Sequence, residues 1–277
     1  MPVILQNIIH PIHKADSSAK GKLLNIESLK IDDGEFVGII DAGEGGSADV
    51  GKMICGLLRP EFGELSLTGS DGKKPVVSAY FDCECEKSFS ETSVEKEITR
   101  RVKRIKGKND EMPDVKAALE LVDIDYDSIK NSSPFELSVG DRRRIALAAA
   151  LAVCPDILVL NDPLKDMDAL WCGALMKLLE KINREGTSVI LLSSDTSRLA
   201  ENADRIIIIK NGSIVIDSSA KTVFSEYYGL VHLGIPVPEV RKCCQMLRER
   251  GTDIPNNIIL YDQFIDRLKI LMWRKNK

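Results

Sequence analysis

Short apolar segments separated by polar residues open the chain and predict a layer of antiparallel strands. The two segments are Val3-Ile4-Leu5 and Leu23-Leu24-Asn25-Ile26, and residues 17–22 between them are rich in Ser, Lys and Gly. Strand-length apolar segments joined by a polar turn are typical of antiparallel pairing. We therefore expect the first 35 or so residues to form a β-layer.

A strand, a tight loop and a helix are predicted next. Residues 35–40 read Glu-Phe-Val-Gly-Ile-Ile, a candidate for a buried strand. After a Gly-rich loop, apolar residues recur at helical spacing and predict a helix with one buried face. These residues are Val50, Met53, Ile54, Leu57 and Leu58. Strand, tight loop and helix in this order form a common phosphate-binding unit.

The pattern from residue 85 to about 150 is helical and includes a basic run at residues 100–106. Only Val102 and Ile105 interrupt that run, so we interpret it as a solvated helix face, with contact to a partner or to phospholipid as the alternative.

Two continuous apolar runs, at 157–160 and 188–192, predict parallel strands buried on both faces. The segment between them predicts a helix at 170–184. Residues 205–216, with an Asn211-Gly212 turn, predict a hairpin.

The character of the sequence changes at residue 226. Pro236 and Pro238 precede a predicted helix at 240–250, and a last amphipathic helix is expected near 261–273. We therefore divide the chain into a main domain, 1–225, and a small helical domain, 226–277.

Composition narrows the range of functions. The chain has 277 residues and a net charge of −4, which gives no general case for nucleic-acid binding. No apolar run approaches the roughly 20 residues of a membrane helix, and no signal peptide opens the chain. We expect a reduced, cytoplasmic protein whose role at a membrane would depend on a partner. Neither Cys83-x-Cys85 nor the adjacent Cys243 and Cys244 has a second pair at zinc spacing. A metal site at His10-x-x-His13 is only a minor alternative, so no metal site is predicted.

Residues 137–168 carry the most specific motif. They read Leu-Ser-Val-Gly-Asp-Arg-Arg-Arg, an alanine-rich helix, Ile-Leu-Val-Leu-Asn-Asp-Pro and then Asp-Met-Asp. In order and spacing this segment resembles the signature-to-Walker-B region of an ATP-binding cassette (ABC) ATPase. The resemblance extends over roughly residues 1–225. It implies an α/β fold: a P-loop NTPase core of the ABC type, with an antiparallel β-subdomain, a helical subdomain at about 85–150 and a small C-terminal helical domain.

The segment 231–270, which opens Leu-Gly-Ile-Pro-Val-Pro, resembles the extra domain of energy-coupling-factor importers, which take up vitamins and transition-metal ions. Such a resemblance implies a homologous ATPase subunit and a transmembrane component as partners. It also implies a position at the inner face of the cell membrane.

The phosphate loop of that family reads G-x-x-G-x-G-K-[ST]. Without a gap, Asp41 falls on its first Gly and Glu44 on its second. Two carboxylates would then line a loop built for a polyanion, which raises the cost of binding phosphate.

The end of the loop departs from the family as well. Gly46 is kept, but Ser47 stands at the Lys position and Ala48, followed by Asp49, at the position of the Mg²⁺-binding hydroxyl. A shifted register is the alternative. Residues 46–52 match G-x-x-x-x-G-K and would make Lys52 the phosphate-binding cation. That register needs a loop five residues longer and an equally shorter helix.

Four other positions of the nucleotide site have changed. Asn161 replaces the Walker B Asp, which removes a charge that Mg²⁺ prefers. Asp162 replaces the catalytic Glu and Ser194 the switch His. Asp82 or Cys83 occupies the place of the Q-loop Gln. We expect no tight Mg-ATP binding at the chain's own loop.

Residues that the family offers to a partner's loop are better preserved. Ser138 and Gly140 of the signature and Asp168 of the D-loop remain, although Val139 and Asp141 are substitutions. We interpret the chain as the degenerate half of a heterodimer that completes its partner's Mg-ATP site. The alternative is that Ser138 and Gly140 serve only the helix start, as an N-cap and a tight backbone approach. Two other functions stay open: a working ATPase that uses Lys52 and Asp162, and a non-enzymatic regulatory protein on a cassette scaffold.

Overall fold

The computed structural model describes residues 3–12, 22–43, 45–67, 76–84, 88–106 and 113–275. Its N-terminal part contains a three-stranded antiparallel sheet in the order β2-β1-β4. The strands are β1 (Val3–Pro11), β2 (Leu23–Ile31) and β4 (Phe62–Leu67). The predicted β-layer is therefore confirmed, and the polar turn at 17–21 lies outside the described residues.

A six-stranded sheet forms the centre, in the order β5-β6-β7-β3-β8-β9. Its strands are β3 (Phe36–Asp41), β5 (Ser78–Asp82), β6 (Ile157–Asn161), β7 (Ser188–Leu192), β8 (Arg205–Lys210) and β9 (Ser213–Ser219). All neighbours pair in parallel except β8 and β9, which form the predicted hairpin around Asn211 and Gly212. Strands β3, β6, β7 and β8 are buried on both faces, as the apolar runs of β6 and β7 predict, whereas the edge strand β5 alternates between buried and half-buried residues.

Helices surround this sheet and follow it to the C-terminus. They are α1 (Ser47–Ile54), α2 (Val94–Lys106), α3 (Val115–Glu120), α4 (Tyr126–Ile129), α5 (Val139–Leu151), α6 (Ala169–Arg184), α7 (Thr196–Asn202), α8 (Ala220–Ser225), α9 (Tyr227–Leu233), α10 (Glu239–Glu249) and α11 (Tyr261–Lys275).

Two hydrophobic cores lie on opposite faces of the central sheet. Alternate residues of β8 show the division, since Ile206 and Ile208 belong to the core with the helices and Ile207 and Ile209 to the core with the β-layer and α1. Successive side chains of a strand point to opposite faces. The sheet is therefore covered on both sides, and α1 is held between it and the β-layer.

Helix α1 is shorter than the apolar spacing predicts. It ends at Ile54, and Gly56 follows with a φ of 67°, a left-handed conformation that commonly ends helices. Leu57 is 62% exposed. The predicted continuation to Leu57 and Leu58 was wrong because this glycine ends the helix one turn earlier.

The basic run of α2 is only partly a solvated face. Lys103 and Arg104 are exposed, as predicted. Arg100 and Arg101 instead bind the carboxylate of Glu97, which is fully buried.

The C-terminal helices have a small core of their own around Cys244, Ile254 and Ile258. Leu230 of α9, however, packs into the core of the central sheet, so the domain boundary at 225/226 stays a prediction. In the described part of the chain, no helix is both long and apolar enough to cross a membrane.

Candidate functional site

The loop between β3 and α1 is the centre of the predicted site. Helix α1 begins at Ser47, directly after Gly46, which is the N-cap and has a left-handed backbone with φ 113°. Gly43 and Gly45 also have positive φ, of 131° and 88°, which glycine adopts without steric cost. The helix therefore starts where the ungapped register predicts, with Ser47 and Ala48 in its first turn.

This helix start does not leave the longer loop that the shifted register needs. Lys52 lies in the last turn of α1, about one and a half turns beyond the loop. Gly51, the glycine before it, packs on the central sheet, where an added Cβ would lie 3.0 Å from Val159 Cγ1 and 3.3 Å from Tyr80 Cε2. Gly51 of the literal motif thus lets α1 pack closely on the central sheet.

A carboxylate of the chain itself lies in the loop. Oδ1 of Asp41 accepts hydrogen bonds from the backbone N–H of Gly43 (3.1 Å) and of Gly45 (3.0 Å). Oδ2 accepts from the Ser47 hydroxyl at 3.2 Å and lies 3.5 Å from the Ser47 backbone nitrogen. Glu44 is outside the described residues, and Asp49 is buried. Phosphate at these amides would meet the Asp41 charge, and two unit charges 4 Å apart repel by about 4 kcal/mol at an effective dielectric constant of 20.

The Walker B and Q-loop positions are joined by side-chain hydrogen bonds. Asp82 ends β5 and Asn161 ends β6, and the two residues are partners in the parallel pairing of these strands. Nδ2 of Asn161 donates to Asp82 Oδ2 at 3.1 Å, and the Tyr80 hydroxyl donates to the same oxygen at 3.2 Å. The Cys83 backbone nitrogen donates to the Asn161 carbonyl at 3.1 Å. The Asn161 amide is therefore bound to its neighbour, and an uncharged amide is a weaker Mg²⁺ ligand than a carboxylate.

Asp162 adopts a left-handed backbone with φ 46°, and its backbone N–H donates to the carbonyl oxygen of Leu192 at the end of β7. Partial burial raises the pKa of its carboxyl, and the charge of Asp82 adds to this effect. Lys165 and a hydrogen bond from the backbone of Ser194 act in the opposite direction. The catalytic-Glu position and the switch-His position are thus brought together, although Ser194 itself is exposed.

Replacing Asp162 by asparagine is expected to make the protein slightly more stable at pH 7. Because the folded-state pKa is raised, folding favours the protonated carboxyl, and stability falls as pH rises from the unfolded to the folded pKa. Asn removes this loss and tolerates the left-handed backbone. The gain should stay below about 1 kcal/mol, since solvent screens a half-buried carboxyl.

Thermal unfolding of both proteins across the acidic range tests this expectation. The difference in stability between Asp162→Asn and the wild type should vanish below the ordinary pKa of aspartate, where the wild-type carboxyl is also neutral. Asp166→Asn, four residues away, is the control for the loss of a carboxylate that is not buried. A destabilising effect of Asp162→Asn at pH 7 would contradict the prediction.

The signature residues lie at the start of α5. Ser138 is the N-cap, and its hydroxyl accepts from the Asp141 backbone N–H at 3.1 Å and donates to the Asp141 carboxylate at 2.7 Å. Val139 is 45% exposed. Apart from its chain neighbours and the backbone of α5, the nearest described atom to a Cβ added at Gly140 would be Ser138 Oγ, at 3.8 Å. The N-cap function of Ser138 is therefore present, whereas no close packing within the described residues requires a glycine at position 140.

The D-loop position has a similar local function. Asp168 is the exposed N-cap of α6, and its carboxylate accepts from the Trp171 N–H at 2.8 Å. Arg143, one turn into α5, joins this region to the Q-loop position. It donates to the carbonyl of Cys83 at 3.2 Å and to that of Lys165. Sequence reasoning missed this connection, because an arginine run gives no sign of which member turns inward.

The fold and the site together define a P-loop type of nucleotide-binding domain, with a phosphate loop between β3 and α1 and an adjoining helical region. Residues 24–165 match the family model described as "ABC transporter". The chain therefore belongs to the ABC transporter family.

Named relatives resemble the chain over its full length. An "Energy-coupling factor transporter ATP-binding protein EcfA2" from Clostridium perfringens is 29% identical, with 100% of both chains covered. A protein of the same name from Clostridioides difficile is 30% identical, with 95% of each chain covered. Among solved structures, a dimeric bacterial ABC transporter cassette has a TM-score of 0.64 at 21% identity and covers 79% of this chain and 98% of its own. That structural likeness shows the fold.

Proposed function

We propose that this protein is a degenerate ATP-binding subunit of an energy-coupling-factor type ABC importer. It pairs with a homologous, active ATPase subunit and couples to a transmembrane component. The observation that carries the proposal is the position of α1, which begins at Ser47-Ala48 and leaves the loop without the lysine and the hydroxyl of the family motif. Full-length similarity to proteins named as energy-coupling factor transporter ATP-binding proteins supports the importer type.

Mg-ATP does not fit the residues around the chain's own loop. Ser47 stands in place of the lysine of the loop motif, and Ala48 in place of the residue whose hydroxyl binds Mg²⁺. Asn161 stands in place of the Walker B carboxylate, and its amide binds Asp82. Each charge-assisted contact of this kind contributes about 1.5–3 kcal/mol, so the loss of several abolishes tight binding. We therefore assign ATP and Mg²⁺ to a site shared with the partner subunit, whose own loop holds them.

Gly140 supports the contribution to that shared site. Within the described residues, an added methyl group at this position meets no atom closer than 3.8 Å. Packing within this chain therefore does not require a glycine at position 140. A glycine there is consistent with a close approach by a group of the partner subunit, such as the phosphate held by the partner's loop. Ser138 and Asp168 lie at exposed helix starts, where they are also accessible to a partner.

Contact with the transmembrane component is assigned to the segment near residues 82–92, of which 85–87 lie outside the described residues. The backbone N–H groups of Ser90 and Glu91 both donate to the buried Glu97 carboxylate at 3.0 Å. The segment thus has a rigid attachment to α2, which suits the transmission of motion. We place the protein in the cytoplasm, peripheral at the inner face of the membrane.

Calorimetry of Mg-ATP with the purified chain is expected to show no binding at millimolar ATP. The same chain in complex with its active partner should bind ATP, because the partner supplies the intact loop. Micromolar binding by the chain alone would contradict the proposal. If Lys52→Ala then abolished that binding, the working-ATPase alternative would replace it.

A regulatory protein on a cassette scaffold is the second candidate. It is favoured by the hydroxyl of Ser138, whose donor and acceptor functions are both engaged with Asp141. This candidate predicts no ATP-dependent association with any active cassette subunit. Size-exclusion chromatography of the chain with such a subunit, with and without Mg-ATP, distinguishes the two functions.

A further inference from the structure

The Asp41 carboxylate is an unusual cap for a helix of this chain. Helices α3, α5, α6 and α7 are each capped by the residue directly before their first turn, namely Asp114, Ser138, Asp168 and Asp195. The N-cap of α1 is a glycine without a side chain. The carboxylate at the start of α1 comes instead from Asp41 at the end of β3, six residues before Ser47, and it reaches across the loop.

The position of this carboxylate is that of an enclosed anion. It accepts from the N–H of Gly43, the N–H of Gly45 and the hydroxyl of Ser47, so three donors of the loop converge on one carboxylate. Convergent N–H groups next to a helix N-terminus form a concave site with positive potential. Such a site favours a negatively charged group. In this chain that group is the Asp41 carboxylate, a side chain of the loop itself.

The neighbouring substitutions agree with an internal anion. Asp41 stands at a glycine position of the family loop, so the carboxylate was gained where no side chain is usual. Ser47 stands at the lysine position, and its hydroxyl donates to Asp41 at 3.2 Å. A short neutral donor suits a carboxylate at this distance, whereas a lysine would extend past it.

We propose that Asp41 is the permanent occupant of the phosphate loop, an autoinhibitory contact that keeps the loop and the start of α1 ordered without nucleotide and excludes phosphate groups. The proposal deepens the proposed function and rests on it, because it explains how a subunit that binds no ATP keeps the loop shape.

Amide hydrogen exchange of the ligand-free chain tests the internal contact. Asp41→Asn keeps the size of the side chain and removes its charge, and hydrogen bonds to charged acceptors are about twice as strong as neutral ones. Exchange at Gly43, Gly45 and Ser47 should become roughly tenfold faster. The matched control is Asp204→Asn, whose carboxylate accepts from the Phe36 N–H at the opposite end of β3. It should leave exchange in the loop unchanged.

Thermal unfolding with inorganic diphosphate tests the exclusion of phosphate. The wild type and Asp204→Asn should not respond to millimolar diphosphate, whereas Asp41→Gly should unfold at a lower temperature and recover part of the loss when diphosphate is added. Unchanged loop exchange in Asp41→Asn overturns the inference and leaves the proposed function intact. Stabilisation of the wild type by diphosphate overturns the inference, and Mg-ATP binding to the isolated wild type overturns the proposed function as well.

Discussion

Replacing Glu97 by glutamine is expected to lower the free energy of unfolding by about 3 kcal/mol, because it removes the charge that two arginines share in a buried position. The Glu97 side chain is 0% exposed, and Oε1 lies 2.6 Å from Arg100 Nη2 and 2.7 Å from Arg101 Nε. Its other oxygen accepts from the backbone of Ser90 and Glu91. Four hydrogen bonds thus depend on one carboxylate.

The pH dependence of this effect follows from the pKa of Glu97. Burial alone raises that pKa, but the hydrogen bonds from Arg101, Ser90 and Glu91 outweigh burial and lower it overall. A lowered folded-state pKa contributes stability above the unfolded value, and this stability is lost as pH falls through the folded pKa. The difference between Glu97→Gln and wild type should therefore be largest at neutral pH and shrink in acid.

Chemical denaturation at neutral and acidic pH measures both expectations. Glu120→Gln is the matched control, since Glu120 is a helical glutamate in an exposed pair with Lys116 at 4.0 Å. Exposed pairs of this type contribute less than about 1 kcal/mol. If the two variants lost equal stability, the buried Glu97 carboxylate would not be the group that attaches residues 88–91 to α2. Under the proposed function, loss of this attachment should also weaken co-purification with the transmembrane component.

Gly140→Ala is expected to reduce the ATPase activity of the complex with the active subunit at least tenfold while the chain itself stays folded. The methyl group has room within the described residues, with its nearest atom 3.8 Å away. Alanine is also the better helix former, by up to about 1 kcal/mol. In the assembled complex, the same methyl would separate the signature from the partner's phosphate, and a displacement of about 1 Å at a reacting centre can cost roughly 100-fold in rate.

The measurement pairs ATPase activity of the complex with thermal unfolding of the isolated subunit. Gly229→Ala in α9 is the control, since among the described residues beyond its own helix backbone the methyl there would meet Glu226 Cβ at 3.6 Å, an ordinary contact. It should change neither quantity appreciably. Wild-type activity in the Gly140→Ala complex would favour the alternative in which the signature residues serve only as a helix start.

The order of elements could be predicted from the sequence because each has a local cause. Continuous apolar runs at 157–160 and 188–192 require burial on both faces, and both became central parallel strands. The Asn211-Gly212 pair favours positive φ at two successive residues, and φ is 53° and 75° there. The β4 and β5 strands were not predicted. β4 is half exposed and pairs with the distant β1, so its own residues give little signal.

The sequence predicted the site at the level of substitutions, and these assignments stay predictions. The ungapped register placed Ser47, Ala48 and Asn161 at family positions, and the observed helix start agrees with it for the loop. The literal G-x-x-x-x-G-K match was misleading, because a motif in letters does not show that its glycine packs against Val159 of a strand more than 100 residues away.

The sequence by itself determined the strand, loop and helix order and the family resemblance, and it predicted the loss of the cation and Mg²⁺ positions, since these depend on local propensity and on residue identity. Only the tertiary structure decided which groups the polar side chains of the site bind. Asp41 could have pointed to solvent, and Asn161 could have faced an ion. Their partners, the loop amides and Asp82, become available only after the parallel strands pair and α1 packs on them. Hydrogen bonds of this kind depend on positions in space, which no local pattern in the chain encodes.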